Sequence, residues 1–139
     1  MEYLTEELIV QKSSQELTAL LYEGLIGHLE EALGCIEQKN MIAANQSLQK
    51  ASDIIQRLGV GLRYEAGPLA ENLDSLYSYM ADRTIEANYR KDTDQIKHVK
   101  ELAETLAAAW NEAMHRKEQS SSVMQKVSAY ENHVMRTKL

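Results

Sequence analysis

One proline in 139 residues, Pro68, is the feature that most limits what this chain can fold into. Proline breaks helix interiors and central strands alike, so a chain with a single one can hold regular structure over long stretches. The spacing of the apolar residues decides which kind. They recur every three or four residues instead of alternating, and β-branched runs are few, so the chain reads as α-helix nearly throughout.

Four amphipathic segments follow. The first spans about 14–38. Ser13 is placed to cap it, with Glu16 three residues on in the capping-box position. Leu17, Leu21, Gly24, His28 and Glu31 follow a 4-3-4-3 spacing, and Leu20, Leu25, Leu29, Ala32 and Ile36 widen that stripe. A second apolar line through Tyr22, Ile26, Leu29 and Leu33 leaves little polar face, so this helix is either the most enclosed or meets a partner. Asn40 caps a second helix over about 41–62, where Met41, Ala44, Leu48, Ala51, Ile55, Leu58 and Leu62 keep a seven-residue repeat. Gly67 marks a turn, and Pro68 suits the first position of a third helix, about 68–90, because its missing N–H costs nothing there. The inner line of that helix is Leu69, Leu73, Leu76, Met80, Arg83 and Ala87, with Tyr77 and Thr84 alongside. Asp92, with Gln95 in the box position, caps a fourth helix over about 93–117, striped by Ile96, Val99, Leu102, Leu106, Ala109 and Ala113 beside Trp110.

Helices of this length on short links must run up-down-up-down, so the expected fold is an all-α antiparallel four-helix bundle. A lead-in segment precedes it. Beyond residue 117 the run Ser120-Ser121-Ser122 is a break, after which Val123, Val127, Tyr130 and Val134 sketch a fifth helix. Charge follows the same division. Arg116, Lys117, Lys126, Arg136 and Lys138 against Glu118 and Glu131 give residues 115–139 a balance of +3, which leaves −9 of the formal −6 on residues 1–114. The bundle is thus expected over 1–117, with a basic extension over 118–139. An acidic body argues against a nucleic-acid partner. No apolar run nears the roughly 20 residues of a membrane span, and Met1-Glu2-Tyr3 does not open a signal peptide, so a cytoplasmic protein without membrane insertion is expected.

No catalytic constellation emerges. Di-metal bundles need two Glu-x-x-His motifs on facing helices, and only Glu112-Ala-Met-His115 is present. His28 reads as a buried, hydrogen-bonded residue and Cys35 as a small buried hydrophobe. No enzyme, metal or other cofactor is expected. Glycines inside the first helix do call for a reason, since Gly24, Gly27 and Gly34 each cost about 1 kcal/mol against alanine. Either helices pack closely there or a visiting backbone approaches.

The residues themselves carry a resemblance. Gln15-Glu16-Leu17 followed by Leu21-Tyr22-Glu23-Gly24 resembles the first-helix signature of the flagellar secretion chaperone family FliS. The third helix continues it with Leu76-Tyr77-x-Tyr79-Met80, Arg83 and Glu86-Ala87-Asn88, and the fourth with Ala109-Trp110 and Ala113. Ser14, Asp82 and Thr84 stand where that family usually has proline, arginine and leucine. The resemblance implies a chaperone that binds the disordered C-terminal segment of flagellin, prevents premature polymerisation and presents it to the flagellar export gate. A homodimer is left open. The alternative is a bundle that binds a different flagellar or regulatory protein. Under either reading the expected cargo contacts are Tyr3, Ile9, Val10, Leu21, Tyr22, Leu25, Leu76, Tyr77, Tyr79 and Met80. Leu8, Ile9 and Val10 are expected to cover a groove that cargo would claim, and Trp110 is expected in the core.

Overall fold

A computed structural model of the chain describes residues 2–61 and 70–138, with side chains over 14–61 and 71–116 and at Val127. Among the described residues all regular structure is helical: α1 Glu2–Glu37, α2 Met41–Gly61, α3 Ala70–Arg90 and α4 Thr93–Lys138. Two units separate, Met1–Ala107 and Ala108–Leu139.

The first unit is a bundle whose two described turns are built alike. At the end of α1, Lys39 takes a φ of 61°, its N–H bonds to the Ile36 carbonyl at 2.9 Å, and Asn40 N–H reaches the Cys35 carbonyl at 2.8 Å. These are the paired bonds of a left-handed helix C-cap. Asn40 then caps α2, its Oδ1 accepting from Ala43 N–H at 3.2 Å. At the end of α3, Lys91 has φ 52°, Asp92 N–H bonds to the Ala87 carbonyl at 3.0 Å, and Asp92 Oδ1 accepts from Asp94 N–H at 3.1 Å. Turns this tight force antiparallel neighbours. Asn45 near the start of α2 accordingly meets Asn88 near the end of α3, at 2.8 Å. Glu30 of α1 meets Lys100 of α4 at 3.4 Å.

Each helix turns one line of residues inward. Tyr22, Leu25, Leu29 and Ala32 come from α1, and Ala44, Leu48, Ala51, Ile55 and Leu58 from α2. Tyr77, Met80, Thr84 and Ala87 come from α3, and Ile96, Val99 and Ala103 from α4. Each line steps by three or four residues. Burying one large aliphatic side chain is worth about 1.5–3 kcal/mol, more than a cap contributes, so these lines set which way each helix faces. Thr84, buried, returns its hydroxyl to the Met80 carbonyl at 2.7 Å.

Several expectations change. α1 begins at Glu2, so Ser13 lies inside a helix and does not cap one; Thr18 Oγ1 bonds back to the Ser14 carbonyl at 3.2 Å, the i−4 pattern of a helix interior. The upstream residues favour helix, and propagation is cheap once a helix exists. The serine run at 120–122 does not break α4 either, because serine costs only about half a kcal/mol per residue in a helix. The extension is therefore a continuation of α4 and not a separate fifth helix. Asp92 caps α4, but the return half of its box is not made: Gln95 Oε1 is buried without a partner, and Asp92 N–H is already taken by Ala87. His28 is partly exposed beside Glu31, at 3.4 Å, and not buried. Cys35 is half-buried. Leu62, Gly67, Pro68 and Leu69 lie outside the described residues.

In the second unit Trp110 is half-buried and Val127 exposed, while Ala109 and Ala113 face solvent instead of extending the inner stripe of α4.

Candidate functional site

With the inner line of α1 running through Tyr22, Leu25, Leu29 and Ala32, the other apolar line of that helix is left outside. Leu17 is 56% exposed and Leu20 61%. Leu17 and Leu21 face Val60 of α2, itself 53% exposed, across a groove of about 540 Å³. Asp53, Gln56 and Arg57 of α2 complete the lining. Leucines exposed on one wall, a valine on the other and a polar rim form the surface that an amphipathic helix fills with its apolar stripe.

On the other side of α2 a smaller groove, about 350 Å³, is lined by Gln49, Ser52, Asp53, Ile85 and Asn88. Asp53 borders both. Ile85 in this second groove is exposed, as are Ile42 of α2 and Tyr89 of α3, the last 90% exposed. The outer face of α2 is thus flanked by two troughs, one mostly apolar and one mostly polar.

The expected contact residues divide into three groups. Leu21 lines the larger groove. Tyr22, Leu25, Tyr77 and Met80 are buried, and the Tyr22 and Tyr77 hydroxyls hydrogen-bond to each other between α1 and α3. Those four hold the bundle together. Leu76 is half-buried, and Tyr79 is exposed on α3. The Tyr79 hydroxyl meets His98 Nε2 at 3.0 Å, its ring stands edge-on to the imidazole at 5.9 Å, and Arg83 lies over it at 5.7 Å. Arg83 is paired in turn with Glu86 at 3.0 Å. Tyr3, Ile9 and Val10 belong to the helical backbone of α1, and their side chains lie outside the described residues. Leu8, Ile9 and Val10, expected over a groove, belong to the same helical segment, and their side chains lie outside the described residues as well. Sequence reasoning missed Leu20, Val60, Ile85 and Tyr89. For Leu20 the available signal was the doubled apolar line of the first helix; no comparable pattern marks Val60, Ile85 or Tyr89.

Gly24 marks the close approach behind the groove. A Cβ there would sit 3.3 Å from Ile54 Cδ1 of α2, whereas one at Gly27 or Gly34 would meet nothing within 4 Å. Close packing accounts for the first glycine alone. Glu112, half of the lone Glu-x-x-His motif, is held by Arg116. Among the described residues no group of three or more His, Cys, Asp or Glu is placed to hold a metal ion, and no helix is long and apolar enough to cross a membrane.

Residues 2–117 match the family model described as flagellar protein FliS. The chain belongs to the FliS family. It is 34% identical over 111 residues to the flagellar secretion chaperone FliS of Escherichia coli strain K12, covering 78% of this chain and 82% of that protein. It is 32% identical over 99 residues to the FliS of Bacillus subtilis strain 168, covering 71% and 74%. With the flagellar secretion chaperone FliSB of Pseudomonas aeruginosa it shares 32% over 111 residues, 79% and 88%. FliS proteins are chaperones, which are not a class of enzyme. The third-helix residues that carried the resemblance split in this FliS chain between core, Tyr77 and Met80, and surface, Tyr79 and Arg83. The FliS match ends at residue 117, so the basic extension lies beyond it.

Proposed function

We propose that this chain is a cytoplasmic flagellar export chaperone that binds the disordered C-terminal segment of flagellin. It keeps that segment from polymerising early and delivers it to the flagellar export apparatus. The observation that supports the reading is the leucine line of α1, Leu17 and Leu21, facing Val60 across the α1/α2 groove and lying outside the core formed by the described residues. A disordered cargo segment gains helix by docking there. Such coupled folding buries about 1,000–3,000 Å² and spends a few kcal/mol on ordering, which keeps a tight complex releasable. The bundle over 1–117 does the binding, and Tyr79 with Leu76 and Leu21 are its surface contacts among the residues singled out from sequence.

Co-expression with the flagellin of the same organism tests this. Full-length flagellin is expected to co-elute with the chain on size-exclusion chromatography, and flagellin lacking its C-terminal segment to elute alone. Equal recovery of both would replace this cargo with another.

A further inference from the structure

Two opposite charges of α2 face the α1/α2 groove, and the fold uses neither. Asp53 and Arg57 sit one helical turn apart, acid before base, which is the favourable order for a pair on one helix. Among the described residues, nevertheless, neither makes an ion pair or a hydrogen bond. Comparable pairs elsewhere do close, Arg83 with Glu86 at 3.0 Å and Lys100 with Glu104 at 3.6 Å. An exposed pair adds little to folding, so leaving this one open costs the bundle little and leaves both charges for a ligand.

We propose that Asp53 and Arg57 read the direction of the helix that docks in this groove; the inference rests on the groove being the cargo site. A visiting helix that lays its apolar stripe on Leu17, Leu21 and Val60 brings the residues flanking that stripe over α2. A helix antiparallel to α2 is parallel to α1, so the dipoles of the two walls leave its direction open and the flanking charges decide it. Running antiparallel to α2, the visiting helix places an acidic residue over Arg57 and, four residues later, a basic one over Asp53. That acid-then-base order also stabilises the visiting helix itself. The same peptide entering the other way sets acid against Asp53 and base against Arg57, and like charges juxtaposed select against it. The occupant is therefore an amphipathic helical segment with Glu or Asp four residues before Lys or Arg beside its apolar stripe. Since Asp53 also borders the second groove, the basic residue marks where the cargo crosses α2 toward Ile85 and Asn88.

The test exchanges the two charges. The double variant D53K/R57E keeps the net charge at −6 and alters only which position carries which sign. Against flagellin of the same organism, calorimetry should give a Kd raised by about tenfold or more, with the melting temperature unchanged to within about 2 °C because both positions are exposed. A wild-type Kd for the double variant overturns the inference while leaving the chaperone reading intact. A second arm does not depend on flagellin. Two designed peptides share one leucine stripe and one composition, the first with Glu-x-x-x-Lys beside the stripe and the second with Lys-x-x-x-Glu. The wild-type chain should prefer the first by about tenfold, and D53K/R57E the second. Equal affinity for both peptides, or binding of neither, overturns the inference.

Discussion

Lys39 occupies a left-handed conformation, with φ 61°, that a side chain with a Cβ adopts at a cost of about 1–2 kcal/mol. Glycine would adopt it freely, at some expense in unfolded-state entropy. Lys39→Gly should therefore stabilise the protein by about 0.5–1 kcal/mol, a rise of roughly 2–4 °C in thermal melts. Lys91→Gly should gain less, because the Lys91 ammonium donates to both the carbonyl and the side-chain oxygen of Asn88. The helix glycines separate in the same way. Gly27→Ala and Gly34→Ala, with open space where the methyl would go, should each add up to about 1 kcal/mol, whereas Gly24→Ala must first displace Ile54. The two tyrosines that look alike in sequence also part. Tyr77→Ala empties a buried site and should cost about 3–5 kcal/mol, while Tyr79→Ala should leave the melting temperature nearly unchanged and weaken flagellin binding. Urea titration of each variant, with binding measured alongside, checks both halves.

The links between elements were legible because cap chemistry is local. Asn40 and Asp92 each satisfy the first N–H groups of the helix they open, and Asn40→Ala or Asp92→Ala should cost about 1 kcal/mol in urea unfolding. Where the same reasoning placed a cap at Ser13, the residues before it were themselves good helix formers, and a cap signal cannot stop a helix that has reason to continue. The facing of α1 was harder to read. Two apolar lines compete on it, and only the positions of the neighbouring helices decide that Tyr22 and Leu25 turn inward while Leu17 and Leu20 stay out. On α3 the inner line runs one position round from the one expected, through Tyr77 and Thr84, because the Leu73, Leu76 and Arg83 positions border solvent. The elements were thus legible and the groove was not, since an exposed leucine and a buried one have the same sequence signature. The long α4 belongs to this scale too. Among the described residues, the buried side chains of the first unit all lie between residues 22 and 103, so deleting 118–139 should leave the melting temperature within about 2 °C of the full chain by circular dichroism.

For the molecule as a whole, the placement of the two described tight turns matters more than either turn alone. Both close the same end of the first unit, and the Asn45–Asn88 hydrogen bond ties α2 to α3 near that end. The exposed leucines and Val60 lie some 15–20 residues down the helices from it, about 22–30 Å at 1.5 Å per residue. Local opening is easiest where few apolar contacts and many exposed backbone bonds remain. Stability is expected to be graded along the bundle axis, which a native-state amide exchange profile checks. Protection should be greatest through Ala44–Ala51 and Thr84–Val99 and should fall steadily toward Ser14–Leu21 and Gln56–Gly61. A chaperone graded in this way would part its helices at one end while the turns hold the other closed, and a cargo docked in the proposed groove would be admitted and let go without the body of the protein unfolding.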